Sequence, residues 1–507
     1  MNREQSLKRI KERAAPFDVA VIGGGATGVG CALDAASRGL DVVLLERFDF
    51  GKCTSSRSTK LLHGGVRYLE QRNVALVREA LAERGRILKN APEHVRKLEF
   101  VVPCTSVSEK FYYLAGLKLY DLLSRKFTFG KSRLIGKKDL PKKIPSLPAD
   151  SFAGAVSYFD GAFDDSGFLI ALARTASRLG ATLANYALVQ KITPEADGFR
   201  IGFKSTESGE EFELASRSVI NAAGPFSDEI RSLSVPSARP QLRHSRGTHI
   251  VLDGEFLGGD SALMIPKTSD GRLLFAIPFY GKTLVGTTDI PADRVSEEPT
   301  PTSEEIDFLL ETCKGYFRRE PTRDDIRSAF AGIRPLVSDE ASDETSKISR
   351  EHFVSIDGNG MVTINGGKWT TYRVMAKDAV DAAVKRSGMK SVSSNTENLK
   401  IAQPEEFETL GLEQRLCKDF DWTMADVVRA VRFDMARTVE DVLARRTRML
   451  FLDAKAAIEA APLVAELIAS ELGRDRDWIQ KQITEFEKIA SRYLVEPERA
   501  KARASSG

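Results

Sequence analysis

The stretch DVAVIGGGATGVGCALDAASRGLDVVLLE, residues 18–46, decides the fold. It opens with the apolar run Asp18–Ile22, passes through a glycine-rich turn into an alanine-rich helical pattern, and closes with a second apolar run that ends at Glu46. Two buried strands joined by a helix are the opening of a parallel α/β sheet. The pattern therefore predicts a βαβ unit of the Rossmann type.

The spacing Gly23-x-Gly25-x-x-Gly28 predicts a dinucleotide site within this unit. The first glycine allows a tight turn, the second lets the backbone approach a pyrophosphate, and the third lets the helix pack closely on the strand. Glu46 is placed to accept hydrogen bonds from the adenosine ribose. The motif does not distinguish NAD from FAD. Because no second copy occurs in the chain, electrons must enter and leave by different carriers.

Length and composition describe a folded protein of several domains. The 507 residues suggest two to four domains. A net charge of +3, from 74 basic and 71 acidic residues, excludes the global positive field of a nucleic-acid binder. Five cysteines without a CxxC pair argue against a disulfide framework and a thiolate metal site. The expected setting is a reducing cytoplasm, without a bound metal.

The expected relation to a membrane is peripheral. The basic first residues lack the apolar core of a secretory signal, and no run of about 18 apolar residues occurs. The segment 130–148, read as a loop, combines three apolar residues, Leu134, Ile135 and Leu140, with six basic ones: Lys131, Arg133, Lys137, Lys138, Lys142 and Lys143. This composition suits a basic face against anionic lipid, and it suits a solvated loop equally well.

Further along the chain the patterns indicate a second sheet and a helical end. Alternating strands between His244 and Asp289 predict an antiparallel sheet that carries the substrate. Beyond Thr423 the chain has helical spacing, with capping-box signals at Thr423 with Asp426 and at Thr438 with Asp441. Three earlier segments are predicted to be helical: the polar segment 74–90, the segment 168–179, and 372–384, which has the apolar spacing of one buried helical face.

The run CTSSRSTKLLHGGVRYLE, residues 53–70, resembles the signature that follows the second strand in FAD-dependent, quinone-linked glycerol-3-phosphate dehydrogenases. Further blocks occur in the order of that family: VINAAG (219–224), GTHIV (247–251), GTTD (286–289), AGIRPL (331–336), GGKWTTYR (366–373) and ARTVEDVLARRTRMLFLDA (436–454). The resemblance spans about 18–494 and is weakest between 391 and 420.

The resemblance implies an α/β fold, with a glutathione-reductase-like FAD-binding Rossmann domain, an antiparallel β-sheet substrate (cap) domain and an all-α C-terminal domain. The expected boundaries are 17–235 for the first part of the FAD-binding domain, 236–330 for the substrate domain, 331–390 for the return to the FAD-binding domain and 391–507 for the helical domain.

FAD is the cofactor that the resemblance implies. The expected contacts come from the glycine turn, the segment after it and the family blocks: Gly23, Gly25, Gly28, Glu46, Thr54, Ser55, Ser58, Lys60, His63, Ala223, Gly224, Gly332, Gly367 and Thr370. For His63, packing against the flavin and a part in proton transfer both remain open.

A phosphorylated polyol needs a cationic clamp, because a phosphate dianion binds best to bidentate arginine donors. By resemblance, the substrate site is lined by Arg67, Tyr68, Arg334, Arg350, Lys368 and His249. Arg334, Lys368 and His249 are the expected catalytic residues. His249 is the expected base, since a base should titrate near neutrality. A purely structural role for His249 remains open.

The activity implied by the resemblance is oxidation of sn-glycerol 3-phosphate to dihydroxyacetone phosphate, with hydride transfer to flavin N5 and electron transfer to a membrane quinone at the inner face of the cytoplasmic membrane. A homodimer is compatible with the sequence. Three alternatives remain: a glycerol-3-phosphate oxidase that uses O2 and forms H2O2, an amine or amino-acid oxidase, and a catalytically silent flavoprotein.

Overall fold

The computed structural model describes residues 1–66, 73–266, 268, 271–337, 351–390 and 392–496. The strands of these residues are, in chain order, β1 (Phe17–Ile22), β2 (Val42–Leu45), β3 (Leu61–Leu62), β4 (Val95–Cys104), β5 (Arg133–Ile135), β6 (Gly154–Phe163), β7 (Thr182–Ala184), β8 (Ala187–Glu195), β9 (Gly198–Ser205), β10 (Glu211–Asn221), β11 (Leu242–Asp253), β12 (Ala262–Ile265), β13 (Leu274–Phe279), β14 (Lys282–Gly286), β15 (Ile290–Pro291), β16 (Ser328–Val337), β17 (His352–Ile356) and β18 (Val362–Gly366).

The α-helices of the described residues follow the same order. They are α1 (Arg3–Glu12), α2 (Ala26–Ser37), α3 (Val74–Asn90), α4 (Val107–Ser124), α5 (Leu140–Lys143), α6 (Asp165–Arg178), α7 (Ser227–Ser234), α8 (Ser303–Cys313), α9 (Tyr372–Arg386), α10 (Met424–Asp434), α11 (Met449–Leu452), α12 (Ala454–Leu472) and α13 (Arg476–Ala490). A π-helical segment, Asp441–Arg446, lies between α10 and α11.

The first sheet is built around β1, whose side chains are almost all buried. Its central strands run in the order β18, β10, β1, β2, β7 and are parallel, with β17 antiparallel at one edge and β8 and β9 extending from β10. This is the predicted βαβ opening, and the predicted α/β fold is confirmed. The carboxyl ends of β1, β2, β10 and β18 consequently meet at one edge, the edge where ligands bind in open parallel sheets.

Small residues let the helices approach one another on one face of this sheet. A side-chain carbon added at Gly30 of α2 would lie 3.0 Å from the Tyr372 ring and 3.2 Å from Ala376, both in α9. A larger residue at position 30 would therefore push α9 away. Apolar residues of α2, α6 and α9 form one core against the sheet.

The second sheet is mainly antiparallel, in the order β15, β11, β14, β13, β12, β4, β6, β3, with β16 beside β11 and β5 beside β6. This sheet contains strands from 61–163 as well as from 242–337. The predicted division had placed all of 17–235, and so the early strands of this sheet, in the FAD-binding domain, together with 331–390. The early strands join the second sheet because β12 pairs with β4 in parallel, Ala262 beside Phe100. The boundaries of the domains themselves stay a prediction.

The C-terminal helices pack their apolar faces on the second sheet in one continuous core that includes β4, β6 and α4. The predicted capping box of Thr423 and Asp426 is present at the start of α10. The preceding residues, 392–423, are mostly irregular and lie partly along the first domain, where Asn90 O accepts from Ile401 N.

The segment 130–148 differs from the predicted loop. It contains β5, which pairs with β6, and the short helix α5. Ile135 and Leu140 are buried in a core on the second sheet, so only Leu134 of the three apolar residues is exposed.

Candidate functional site

One cavity of about 500 Å³ runs between the two sheets. Its walls come from the ends of β1, β2, β10 and β18 in the first sheet and from β11 and β16 in the second. The glycine turn and Glu46 line one end, and His249, Arg334 and Lys368 line another part of the same cavity. Residues predicted from separate motifs are therefore brought to one site.

The glycine turn has the geometry that the spacing predicts. Gly23 has φ +109°, in the region that favours glycine, and its amide donates to Leu45 O at 2.9 Å. Glu46 accepts from the amides of Gly24 (2.5 Å) and Phe48 (2.8 Å), and burial raises the pKa of its carboxyl. The turn is thus fixed to the end of β2, with the Glu46 carboxylate at the cavity wall.

The cradle fits the pyrophosphate of a dinucleotide. A side-chain carbon on Gly28 would overlap the carbonyl of Gly23, and one on Gly25 would lie 3.0 Å from Ser55 Oγ. Gly28 does not itself line the cavity; it lets α2 begin against the turn, as its predicted role requires. Gly25, Ala26 and Thr27 at the start of α2 line the cavity, and the N-terminus of a helix favours negative charge.

Gly28→Ala tests this cradle. The added carbon meets backbone, which cannot rotate away as a side chain can, so the turn must shift and the purified variant is expected to be nearly colourless. The measurement is the ratio of flavin to protein after purification and after incubation with FAD. Gly116→Ala in α4 is the control, because a side-chain carbon there meets no atom within 4 Å. A yellow Gly28→Ala protein with normal FAD content would contradict the assignment.

The segment after the turn brings its predicted cofactor residues to the cavity wall with one exception. Thr54, Ser55, Ser58 and His63 line the cavity. Lys60 does not: its ammonium group is buried and donates to Ser56 O (2.7 Å) and to Asp165 (2.6 Å). The prediction that the Lys60 side chain contacts the cofactor is therefore not supported by its placement, because the buried carboxylate of Asp165 draws the ammonium away from the cavity.

The remaining predicted cofactor residues also lie at the wall of the cavity, and these are Ala223, Gly224, Gly332, Gly367 and Thr370. Arg67, Tyr68 and Arg350, predicted for the substrate site, lie outside the described residues. The sequence reasoning did not single out Arg57 or Thr59, which also line the cavity. Both belong to the 53–70 run, so their block was found but not their individual placement.

Arg334 lines the cavity, and its guanidinium group is held by residues that follow β14. It donates to Thr287 Oγ1 and Thr288 O, both at 3.1 Å, and lies 3.6 Å from Asp289. A side-chain carbon on Gly247, in the adjacent strand β11, would overlap this group. Glycine at 247 therefore provides the space that the guanidinium occupies, and about a fifth of the side chain remains exposed.

His249 is buried beside this cationic group. Its Nε2 lies 2.9 Å from Thr59 Oγ1, and its ring stacks on Phe330 with the centroids 5.0 Å apart. Burial, together with the charges of Lys60 and Arg334, lowers the pKa of His249 well below its ordinary value. The imidazole is consequently neutral at neutral pH, which leaves a nitrogen lone pair to accept a proton but makes it a weaker base than the near-neutral titration expected from the sequence.

Comparisons with known proteins agree with this geometry. Residues 18–373 match the family described as FAD dependent oxidoreductase, and residues 363–479 match the C-terminal domain of alpha-glycerophosphate oxidase. The mitochondrial glycerol-3-phosphate dehydrogenase of Mus musculus is 37% identical over 551 residues, which cover 97% of this chain and 75% of that protein.

Solved structures share the fold. A glycerol-3-phosphate dehydrogenase from Bacillus halodurans, complexed with FAD, superposes with a TM-score of 0.77 at 24% identity and covers 98% of both chains. The L-alpha-glycerophosphate oxidase of Mycoplasma pneumoniae, with FAD bound, gives 0.58 at 18% identity, covering 77% of this chain and 100% of that one. The resemblance found in the sequence is confirmed, and the chain belongs to the family of FAD-dependent glycerol-3-phosphate dehydrogenases.

Proposed function

We propose that this protein oxidises sn-glycerol 3-phosphate to dihydroxyacetone phosphate with FAD as cofactor and passes the electrons to a quinone. The observation that carries the proposal is the continuous cavity, which joins a dinucleotide cradle to a site with two cations and a neutral imidazole. FAD, when bound, accepts the hydride from C2 of the substrate.

The roles of the protein groups follow from their chemistry. Arg334 and Lys368 bind the phosphate dianion, since charge-assisted hydrogen bonds to phosphate are strong and a guanidinium group can bind two oxygens at once. His249 accepts the proton of the C2 hydroxyl as the carbonyl forms. A pair of cations at one cavity wall matches the double negative charge of a phosphate better than the single charge of an amino-acid carboxylate, so the pair favours a phosphate.

The acceptor separates the proposed dehydrogenase from the alternative oxidase. The test is steady-state turnover of the holoenzyme on glycerol 3-phosphate in air, with and without a short-chain quinone, while H2O2 is measured. We expect quinone reduction and little peroxide. Stoichiometric peroxide with no stimulation by quinone would favour the oxidase.

A quinone acceptor implies contact with a membrane, and helix α4 offers the surface. No helix among the described residues is long and apolar enough to cross a bilayer. Five large apolar side chains of α4 are nevertheless 46–72% exposed, and these are Val107, Phe111, Tyr112, Leu119 and Leu122. At 100° per residue they fall within an arc of about 140°, one face of the helix, as in helices that lie in a lipid interface.

The basic segment 131–143, for which the sequence left lipid contact and a solvated loop equally open, has many of its charges compensated within the protein. Arg133 and Lys143 both pair with Glu99, Lys142 pairs with Asp139 and Lys137 with Asp150. We therefore propose the exposed face of α4, with the neighbouring Leu134, as the contact with lipid and the basic segment as its border.

Vesicle binding tests this surface. Phe111→Glu with Leu122→Glu should abolish co-sedimentation with vesicles of phosphatidylcholine and phosphatidylglycerol, because two carboxylates would have to enter the apolar part of the bilayer. Turnover with a soluble dye acceptor should be unchanged. Leu410→Glu, at a leucine 83% exposed elsewhere, is the control. Undiminished vesicle binding of the double variant would exclude α4.

We also propose the inner face of the cytoplasmic membrane as the location. All five cysteines are free, and burial raises the pKa of Cys53, at the cavity wall, to about 12. Free thiols suit a reducing compartment.

A further inference from the structure

The segment 53–59, which we call the cofactor loop, is held from behind by a buried carboxylate. Most of its residues line the cavity, but Ser56 and the adjoining Lys60 are buried on the far side. There Asp165, the first residue of α6 and fully buried, accepts from Ser58 Oγ (2.7 Å) and Lys60 Nζ (2.6 Å). One carboxylate thus fixes the residues on both sides of Thr59.

The C-terminal helical region completes this cluster through Arg448. The guanidinium group is fully buried and donates to Asp165 (3.0 Å), to Ser56 O (2.8 Å) and to Ser166 Oγ (2.7 Å). Ser56 O also accepts from Lys60, so the Lys60 and Arg448 side chains both donate to one carbonyl of the loop backbone. Three segments far apart in the sequence therefore meet behind the cofactor loop.

The charges of the cluster are interdependent. Burial alone would raise the pKa of Asp165, but Lys60 and Arg448 more than offset it and hold the pKa below its ordinary value. Removing either cation leaves the carboxylate less compensated in a buried position, which is costly. The cluster is therefore expected to act as a unit in fixing the loop.

Thr59 connects this cluster to the chemistry. It lies between Ser58 and Lys60, and its hydroxyl is 2.9 Å from His249 Nε2. Among the described residues, His249 Nδ1 is buried without a hydrogen-bond partner. Thr59 is thus the hydrogen-bond partner of the imidazole, and when its hydroxyl accepts from Nε2–H the Nδ1 lone pair is left to take a proton.

We propose that Asp165 and Arg448 are positioning residues for the oxidation, which act by holding Thr59 against His249. The proposal rests on the proposed function, in which His249 is the base. It assigns to the C-terminal helical region a part in the chemistry, although its helices lie outside the cavity.

The first test uses Thr59, where the change in volume is small. Thr59→Val should lower the rate of flavin reduction at saturating glycerol 3-phosphate by about 10- to 100-fold, the loss expected for a misplaced catalytic group. Thr59→Ser, which keeps the hydroxyl, should stay within about threefold of the wild type. Rates are taken per bound flavin in anaerobic stopped-flow experiments, and KM is measured alongside.

The second test is a double-variant cycle. Arg448→Met should cause a loss similar to that of Thr59→Val, and the combined variant should be no slower than the slower single variant, because both changes break the same connection. Arg174→Met is the matched control. Arg174 lies on α6, as Asp165 does, is buried, and pairs with Asp434 of the C-terminal region at 2.6 Å. It touches no residue of the cofactor loop, so the rate should stay near that of the wild type.

Two results would overturn the inference: a Thr59→Val protein that reduces its flavin at the wild-type rate, or losses that multiply in the combined variant. A wild-type rate of flavin reduction in Thr59→Val would overturn the inference even if Arg448→Met does not fold. Failure of the proposed function is distinct, because the wild-type flavin would then not be reduced by glycerol 3-phosphate at all.

Discussion

Replacing Arg334 by alanine is expected to raise KM for glycerol 3-phosphate by about 100-fold while FAD stays bound. A charge-assisted hydrogen bond contributes about 1.5–3 kcal/mol, and a loss of about 3 kcal/mol corresponds to about 100-fold in affinity. FAD should be retained because the guanidinium group is held by Thr287 and Thr288 of the substrate sheet and not by the glycine cradle. Steady-state kinetics and flavin content are the measurements.

Two variants make this result specific. Arg334→Lys keeps the charge but loses the bidentate hydrogen bonding of the guanidinium group, so its KM should lie between those of the wild type and the alanine variant. Arg327→Ala removes an exposed arginine that lies just before β16, the strand that contains Arg334, and pairs with Asp253. The KM of this variant should be normal. Loss of flavin from Arg334→Ala, with a normal KM in the flavin-saturated enzyme, would contradict the assignment.

Replacing His249 by glutamine is expected to slow flavin reduction at saturating substrate by about 10²- to 10⁴-fold, the range of general-base catalysis. Because burial holds the pKa of His249 well below its ordinary value, the imidazole is neutral throughout the neutral range. The wild-type rate should therefore not fall through protonation of this residue between pH 8 and about 6.5. Anaerobic stopped-flow absorbance across this range measures both effects.

His94→Gln is the control for this experiment. Burial also lowers the pKa of His94, but its ring packs on Phe168, and His94 is not among the residues that line the cavity. Its rate of flavin reduction should be normal. An unchanged rate in His249→Gln would remove His249 from the role of base and leave it the structural role that its stacking on Phe330 allows.

Sequence patterns were sufficient to predict elements that are stabilised by residues close together in the chain, such as helices and their caps. The helix 74–90 and the capping box at Thr423 were predicted from spacing alone, and the structure has both. The assignment of strands to sheets was not predictable in this way. β4 joins the second sheet by pairing with β12, about 160 residues away in the sequence, and β6 joins it through β4. No pattern within 95–163 specifies β12 as the partner.

The same distinction applies to the site. Glycines with a fixed spacing identify a cradle, and residues in family blocks lie at the cavity wall, so most of the cavity-lining residues proposed for the cofactor could be named from the sequence. The side-chain direction of Lys60 could not, because it depends on Asp165, 105 residues further along. Likewise the sequence left lipid contact and a solvated loop equally open for 131–143, because carboxylate partners of its basic residues, such as Glu99, lie outside the segment.

The central claim is that one cavity holds FAD and delivers glycerol 3-phosphate to it. Its most direct test is anaerobic titration of the purified holoenzyme with glycerol 3-phosphate, followed through the visible absorbance of the flavin. We expect the absorbance to bleach to the extent produced by dithionite. A flavin that dithionite reduces but that stays oxidised in excess glycerol 3-phosphate would contradict the account.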